Sequence, residues 1–172
     1  MTSRLPCSRT KAMKLRMSNP AALVDLSGLS ELQGIQVQGG TVRVGAMSRH
    51  AQVADDAHVR EAIPALAALA AGIGDPMVRN QGTLGGSMAY SDPSACYPSA
   101  ALALKAVIHT DARDIAADDF FLGLYQTALE PAEVIRAVSF AKPESAVYMK
   151  FKHPASKLAL VGVFVARFKD EV

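Results

Sequence analysis

The stretch Val78–Pro98, V-R-N-Q-G-T-L-G-G-S-M-A-Y-S-D-P-S-A-C-Y-P, constrains this chain more than any other. It sets Gly82, Gly85 and Gly86 around Thr83 and Ser87, then delivers Asp92-Pro93 ahead of an alanine- and leucine-rich run. Glycines at this density let a backbone turn sharply and approach a ligand with no Cβ in the way. The N–H groups of such a turn can form an anion-binding nest, and flanking hydroxyls add donors to the same oxygens. The run therefore predicts a phosphate-holding loop. A glycine cluster alone serves equally well as a plain structural turn, so its context has to decide.

That context is a globular domain of 172 residues, half of them hydrophobic and a fifth charged. A chain this long buries a substantial core as one domain or two small ones. The net charge of +2 and the lack of a basic run interleaved with aromatics argue against nucleic acid. Cys7 and Cys96 form no CxxC pair, which fits a reducing compartment. No apolar run reaches the ~18 residues of a membrane span, and no apolar stretch follows the basic residues near the N-terminus. A soluble, cytoplasmic protein is expected.

Along the chain, Gly34–Gln38 and Thr41–Gly45 alternate apolar and polar residues around Gly39-Gly40, the strongest hairpin signal present. Ser48 is placed to cap a helix over Arg49–Asp55, His58–Ala62 continues the helical pattern, and Pro64 starts a helix over Ala65–Ala71. A buried helix is expected between Ser94/Pro98 and Lys105, with a short capped one at Asp118–Phe121. Strands are expected at Ala106–Thr110, Arg113–Ala116, Glu133–Phe140 and Ala146–Lys152, and at Leu158–Phe168 a long one that closes a sheet. Helices and strands do not alternate regularly, which favours α+β over a doubly wound fold.

Most chemical motifs are absent. His50, His58, His109 and His153 share no metal-ligand spacing with one another or with the cysteines. The pairs Asp55-Asp56 and Asp118-Asp119 suit helix capping better than acid–base work. G-x-S-x-G, G-x-x-x-x-G-K-[ST] and G-x-G-x-x-G do not occur.

Taken together, V-R-N-x-G-T-L-G-G-S, then D-P-S-A and an apolar helix, resembles the FAD-binding subunits and domains of the molybdenum hydroxylases. Met13-Lys-Leu-Arg, Val42-Arg-Val-Gly-Ala, Ile63-Pro64-Ala-Leu, Asp118-Asp-Phe-Phe, Leu129-Glu-Pro and Tyr148-x-Lys-Phe fall in the family's order, so the likeness covers roughly residues 13–168. It implies an α+β FAD-binding domain of the PCMH-like type, with residues 1–47 as the remnant of an N-terminal subdomain and 48–172 as the main body. It also implies that Thr83, Leu84, Gly85, Gly86 and Ser87 bind the FAD pyrophosphate through backbone N–H and hydroxyl groups. Ile73 matches a position that packs on the cofactor, and Ile135 a late backbone contact. Cys96 falls where relatives often carry an acid that contacts FAD, and Tyr90 where many have Asn or His. Lys152 is assigned as the lysine near the isoalloxazine, with Lys150 competing because the match slips by one residue.

Relatives carry a second glycine motif, A-G-G-x-S, before the M-K-L-R segment. Here that region reads Arg4-Leu-Pro-Cys-Ser-Arg-Thr-Lys-Ala. The sequence is thus read as the central body of a flavin subunit, cut at both ends and lacking the family's C-terminal domain. The function implied is an electron-transfer subunit whose partners are a molybdenum-cofactor large subunit and an iron–sulfur small subunit. The rival readings are a truncated, non-catalytic homologue that binds FAD poorly, and a module for some other nucleotide.

Overall fold

The computed structural model describes residues 22–169, together with Met13, Arg16, Asn19 and Pro20. The segment expected to hold the second glycine motif, and Cys7 within it, lies outside the described residues. The architecture is built on a five-stranded antiparallel sheet of order β1-β2-β7-β3-β4. Its strands are β1 (Ile35–Gln38), β2 (Thr41–Gly45), β3 (Val107–Thr110), β4 (Asp114–Ala116) and β7 (Ile135–Ala141). The β1–β2 hairpin turns as expected at Gly39 and Gly40, whose φ angles of +56° and +81° demand glycine. Pairing of β2 with β7 brings Val42 opposite Phe140 and Val44 opposite Val138, all four fully buried. Each such side chain contributes roughly 1.5–3 kcal/mol on burial. The sheet therefore draws strands from both sides of the division expected between residues 47 and 48.

Helices cover the sheet. They are α1 (His50–Asp55), α2 (Ala57–Ala62), α3 (Pro64–Ala71), α4 (Pro76–Gln81), α5 (Leu84–Tyr90), α6 (Tyr97–Ala103) and the short α7 (Ala117–Phe120). Asp56 caps α2 by accepting from the N–H groups of His58 and Val59, and Pro64 opens α3. Ser48 does not cap α1 as the sequence suggests. Its hydroxyl donates to the Gly34 carbonyl instead, while Gln52 accepts from the Arg49 N–H at 2.8 Å. Leu66 and Leu69 of α3, Leu84 and Met88 of α5, and Tyr97 and Ala100 of α6 meet the sheet residues in one continuous core.

Two further expectations change. The glycine-rich stretch is not an open loop: α4 and α5 form on either side of Gly82-Thr83, because Asp75 caps the first and Thr83 the second. The last long strand, β9 (Ala159–Arg167), does not close the main sheet. Among the described residues it pairs with β8 (Ser145–Lys152) alone, making a separate two-stranded ribbon that leans on α3 and α6. Tyr148 and Phe164 face inward from this ribbon. On its other face Val147, Met149 and Phe151 oppose Val165, Val163 and Val161, all exposed. A third small hairpin joins β5 (Phe121–Gly123) to β6 (Gln126–Thr127).

Candidate functional site: a cleft beside the glycine run

Thr83 stands at the centre of the site. An isolated antiparallel bridge pairs it with Arg49, flanked by His50 N–H donating to Gly82 and Leu84 N–H donating to Ser48, each at 3.0 Å. The Thr83 hydroxyl accepts from Gly86 N–H at 3.2 Å and so caps α5. Gly85 N–H donates to the Ala46 carbonyl at 2.8 Å. A Cβ on Gly85 would lie 2.6 Å from the Ala46 Cβ, which explains why this position is glycine. The expected nest of free N–H groups is therefore modified. Leu84 and Gly85 spend their donors inside the chain, and the Gly86 N–H is given to the Thr83 hydroxyl.

The first turn of α5 forms one wall of a cleft of about 730 Å³, in the range of small-molecule and cofactor sites. Thr83, Gly85, Gly86, Ala89 and Tyr90 line that wall. Ile135, at the start of β7, and the preceding segment from Leu129 line the other, with Ala46 and Met47 at the floor and Leu122 and Tyr125 from the β5–β6 hairpin at the rim. The segment before Ile135 is held by Glu133. Its carboxylate accepts from Thr110 Oγ1 at 2.7 Å, Glu130 N–H at 2.7 Å and the Arg113 guanidinium at 3.1 and 3.2 Å. The Arg113 hydrogen bonds, then the Glu130 N–H, hold this carboxylate down at about 2, so it stays charged.

The sequence-predicted residues fall into two groups. Thr83, Gly85, Gly86 and Ile135 share the cleft. Leu84 is adjacent, but its side chain is wholly buried in the core, and Ser87 sits half-buried one turn further along α5 without lining the cleft. The second group lies at the end of α3. Lys150 Nζ donates to the Gly72 carbonyl at 3.1 Å and approaches the buried Cys96 sulfur at 3.3 Å, with Ile73 half-buried next to Gly72. Lys152 is exposed at the far end of β8, opposite Ala159. Of the two lysines left open by the sequence, Lys150 is the one brought to Cys96. The Asp92 carboxylate accepts from the N–H and hydroxyl of Ser94 in a local turn.

Tyr125, Met47 and the Leu129–Val134 wall carry no role in the sequence reading. Leu129-Glu-Pro does lie among the segments that bear the family resemblance, so order along the chain was the available signal. Among the described residues no group of His, Cys, Asp or Glu could hold a metal ion. No helix among them is long and apolar enough to cross a membrane.

Residues 7–143 match the family described as the FAD binding domain in molybdopterin dehydrogenase. This chain belongs to that family. Curated relatives include the carbon monoxide dehydrogenase medium chain of Hydrogenophaga pseudoflava, 37% identical over 165 residues, covering 92% of this chain and 58% of the relative. The nicotine 6-hydroxylase medium subunit of Paenarthrobacter nicotinovorans is 33% identical, with 89% and 56% covered. Among solved structures, quinoline 2-oxidoreductase from Pseudomonas putida 86 superposes with a TM-score of 0.89 at 32% identity, covering 94% of this chain and 58% of that one. Carbon monoxide dehydrogenase from Hydrogenophaga pseudoflava gives 0.88 at 34%, with 94% and 59% covered. The chain thus spans somewhat more than half the length of the relatives it matches. The α+β FAD-binding fold expected from the sequence is the fold found.

The residues present fit the family's cofactor, FAD. Gly85 and Gly86 bring Cβ-free backbone to the cleft wall, and the Thr83 hydroxyl stands beside them. The cleft is bordered by Ala89, Tyr90, Leu122 and Tyr125 on one side and by the Leu129–Ile135 segment on the other.

Proposed function

We propose that this flavin-binding chain acts in electron transfer within a molybdenum-containing hydroxylase or dehydrogenase, taking electrons from iron–sulfur clusters on a small subunit and passing them to an acceptor. A large subunit carrying the molybdenum cofactor would oxidise the substrate. The observation that carries this reading is the single cleft uniting Thr83, Gly85 and Gly86 with Ile135. Family membership and the names of the relatives, which are medium chains of dehydrogenases and hydroxylases, support it.

When bound, FAD would supply the redox chemistry, and the protein's part is to bind and orient it and to tune its surroundings. Thr83 and the Gly86 N–H would hold the pyrophosphate, and Ile135 would present backbone from the facing wall. Ile73, Cys96 and Lys150 would form a second set of contacts at the end of α3. In this set a thiol stands where relatives place an acid, so the Lys150 ammonium is the charged member. No general acid or base is required.

The second reading, a homologue that keeps the fold but binds FAD weakly, draws on the Leu84 and Gly85 N–H groups being occupied by Ser48 and Ala46. Each donor missing from a phosphate site removes a charge-assisted hydrogen bond of ~1.5–3 kcal/mol. Titration of the purified protein with FAD, followed by its visible absorbance, separates the two. A saturable bound chromophore is expected for a flavin subunit; a folded protein that stays colourless in excess FAD would overturn the proposal.

A further inference from the structure

Three side chains with reactive heads converge beside the end of α3. Cys96, immediately before α6, is 5% exposed, and its carbonyl accepts from the Ser99 hydroxyl at 2.8 Å. Lys150 on β8, 54 residues further along the chain, brings Nζ to 3.3 Å from the Cys96 sulfur. Its other partner is the Gly72 carbonyl at 3.1 Å. Tyr148, two residues earlier on the same strand, is hydrogen-bonded through its hydroxyl to the same sulfur. Gly162 leaves room for that hydroxyl, since a Cβ there would stand 2.9 Å from Tyr148 Oη. Among the described residues no carboxylate pairs with the Lys150 ammonium. The amine is thus placed against a nucleophilic sulfur rather than a counter-ion. The two atoms already stand at the separation of roughly 3–3.5 Å from which a positioned pair can react.

We propose that Cys96 and Lys150 are a covalent modification site, joined by dioxygen through one bridging oxygen as a sulfur–oxygen–nitrogen link between the start of α6 and β8. The thiol first takes up dioxygen to give a hydroperoxide on sulfur, S–O–O–H. The Lys150 amine, its third proton released to solvent, then attacks the sulfur-bound oxygen. The N–O bond forms as the O–O bond breaks, and the distal oxygen leaves as water with a proton from the amine. Sulfur and nitrogen each give up two electrons, and dioxygen takes up the four. The 3.3 Å gap selects this product. One oxygen fits between the two atoms with little movement, whereas a direct S–N bond would require them to close by nearly half. Dioxygen is small and apolar, so it can reach a sulfur packed among core residues. A thiol reductant attacks the bridged sulfur and, supplying four electrons, returns the thiol, the amine and water. The link needs no cofactor atom and so stands apart from the flavin-binding reading. Once formed, it would take the Lys150 ammonium out of the contacts proposed there.

The test compares the whole chain, free of flavin, in air-saturated buffer and under anaerobic conditions with dithiothreitol. It is run on the parent and on a Cys7→Ser background, which leaves Cys96 as the sole thiol. Proteolysis without reduction, followed by mass spectrometry, should find a linked pair of peptides containing Cys96 and Lys150 in the air-exposed sample alone. Its mass should equal the two peptides together plus one oxygen and less two hydrogens, and dithiothreitol should return both peptides. The linked chain should melt roughly 5–10 °C higher, because the link closes a long loop in the unfolded state. Reduction should abolish that gain. Cys96→Ser and Lys150→Arg should each lack the linked peptide and the redox-dependent shift, and Lys150→Arg keeps a donor for the Gly72 carbonyl. Peptides joined without the added oxygen, Cys96 oxidised beside an unmodified Lys150, a link to Lys152, or a chain unchanged by air would each overturn the inference. None of these outcomes bears on flavin binding, which the FAD titration tests separately.

Discussion

Gly85 and Ala46 are in direct contact: the glycine N–H bonds the alanine carbonyl at 2.8 Å, and the space a Cβ would need is already filled by Ala46 atoms at 2.6–3.0 Å. The contact sets α5 against the end of the β2 strand and closes the floor of the cleft. Gly85→Ala should therefore force the helix and the Ala46 turn apart. Overpacking of this kind costs about 1–3 kcal/mol. A melting temperature lower by roughly 5 °C is expected by calorimetry or circular dichroism. An unchanged melting temperature would show that the contact relaxes freely.

Glu133 fastens the opposite wall. Its side chain is only 3% exposed and accepts from Thr110, Glu130 and Arg113. Glu133→Gln keeps the shape but loses the charge and leaves polar groups poorly matched, a cost of about 1–3 kcal/mol. FAD affinity should fall along with stability, because the segment leading to Ile135 loosens. The carboxyl's folded pKa of about 2 lies below its ordinary 4.5. Its contribution is therefore present above pH 4.5 and disappears as pH falls toward 2, whereas the Gln variant should lack this component of acid sensitivity.

His50 supplies the second acid response. Burial pushes its imidazole down from 6.5 to about 4, and the ring packs against Tyr97 at 5.3 Å. The folded state thus disfavours the protonated form. Stability is full above pH 6.5 and is lost as pH falls through 6.5 toward 4, by up to about 3 kcal/mol. The ring also abuts Gly82, since a Cβ there would stand 2.6 Å from Nε2, so protonation acts directly behind Thr83. Denaturant titrations from pH 7.5 to 4.5 should show this slope, and a His50→Gln variant should flatten it. An identical slope in the variant would assign the acid sensitivity elsewhere.

Lys150 and Lys152 should separate cleanly. Lys150 ties β8 to the end of α3 through Gly72, whereas Lys152 is exposed at the ribbon's far end. Lys150→Met should lower protection of the β8–β9 amides against hydrogen exchange by an amount equivalent to about 1 kcal/mol. Lys152→Met should leave it within a few tenths of that scale. Equal effects would mean that the Gly72 contact contributes nothing to the ribbon.

Much of the fold was legible in local chemistry. Gly39-Gly40 announced the first hairpin, Asp56 and Pro64 the starts of α2 and α3, and the alternation in Thr41–Gly45 the buried face of β2. Each of these signals acts over a few residues, where side-chain size and hydrogen-bonding groups bias the backbone directly. The glycine run misled for the same reason. Its glycines argue against helix, yet Thr83 caps it and Leu84 and Met88 bury one face, so tertiary packing overrides propensity. Nor did the apolar alternation in Leu158–Phe168 say which strand it would meet.

By itself, then, the sequence determined the family, the glycine-and-threonine run beside the cleft and most of the elements, because motif order and short-range chemistry are written along the chain. Only the tertiary structure decided which of those residues share a space. It brought Ile135 across from Thr83, fixed Glu133 in the wall on Ile135's side and chose Lys150 over Lys152 as the neighbour of Cys96. It also engaged the N–H groups of Leu84 and Gly85 with Ser48 and Ala46, which no local pattern could foretell. Hydrogen bonds between residues some forty positions apart depend on how strands pair and helices dock, and that is settled by burial of the whole core.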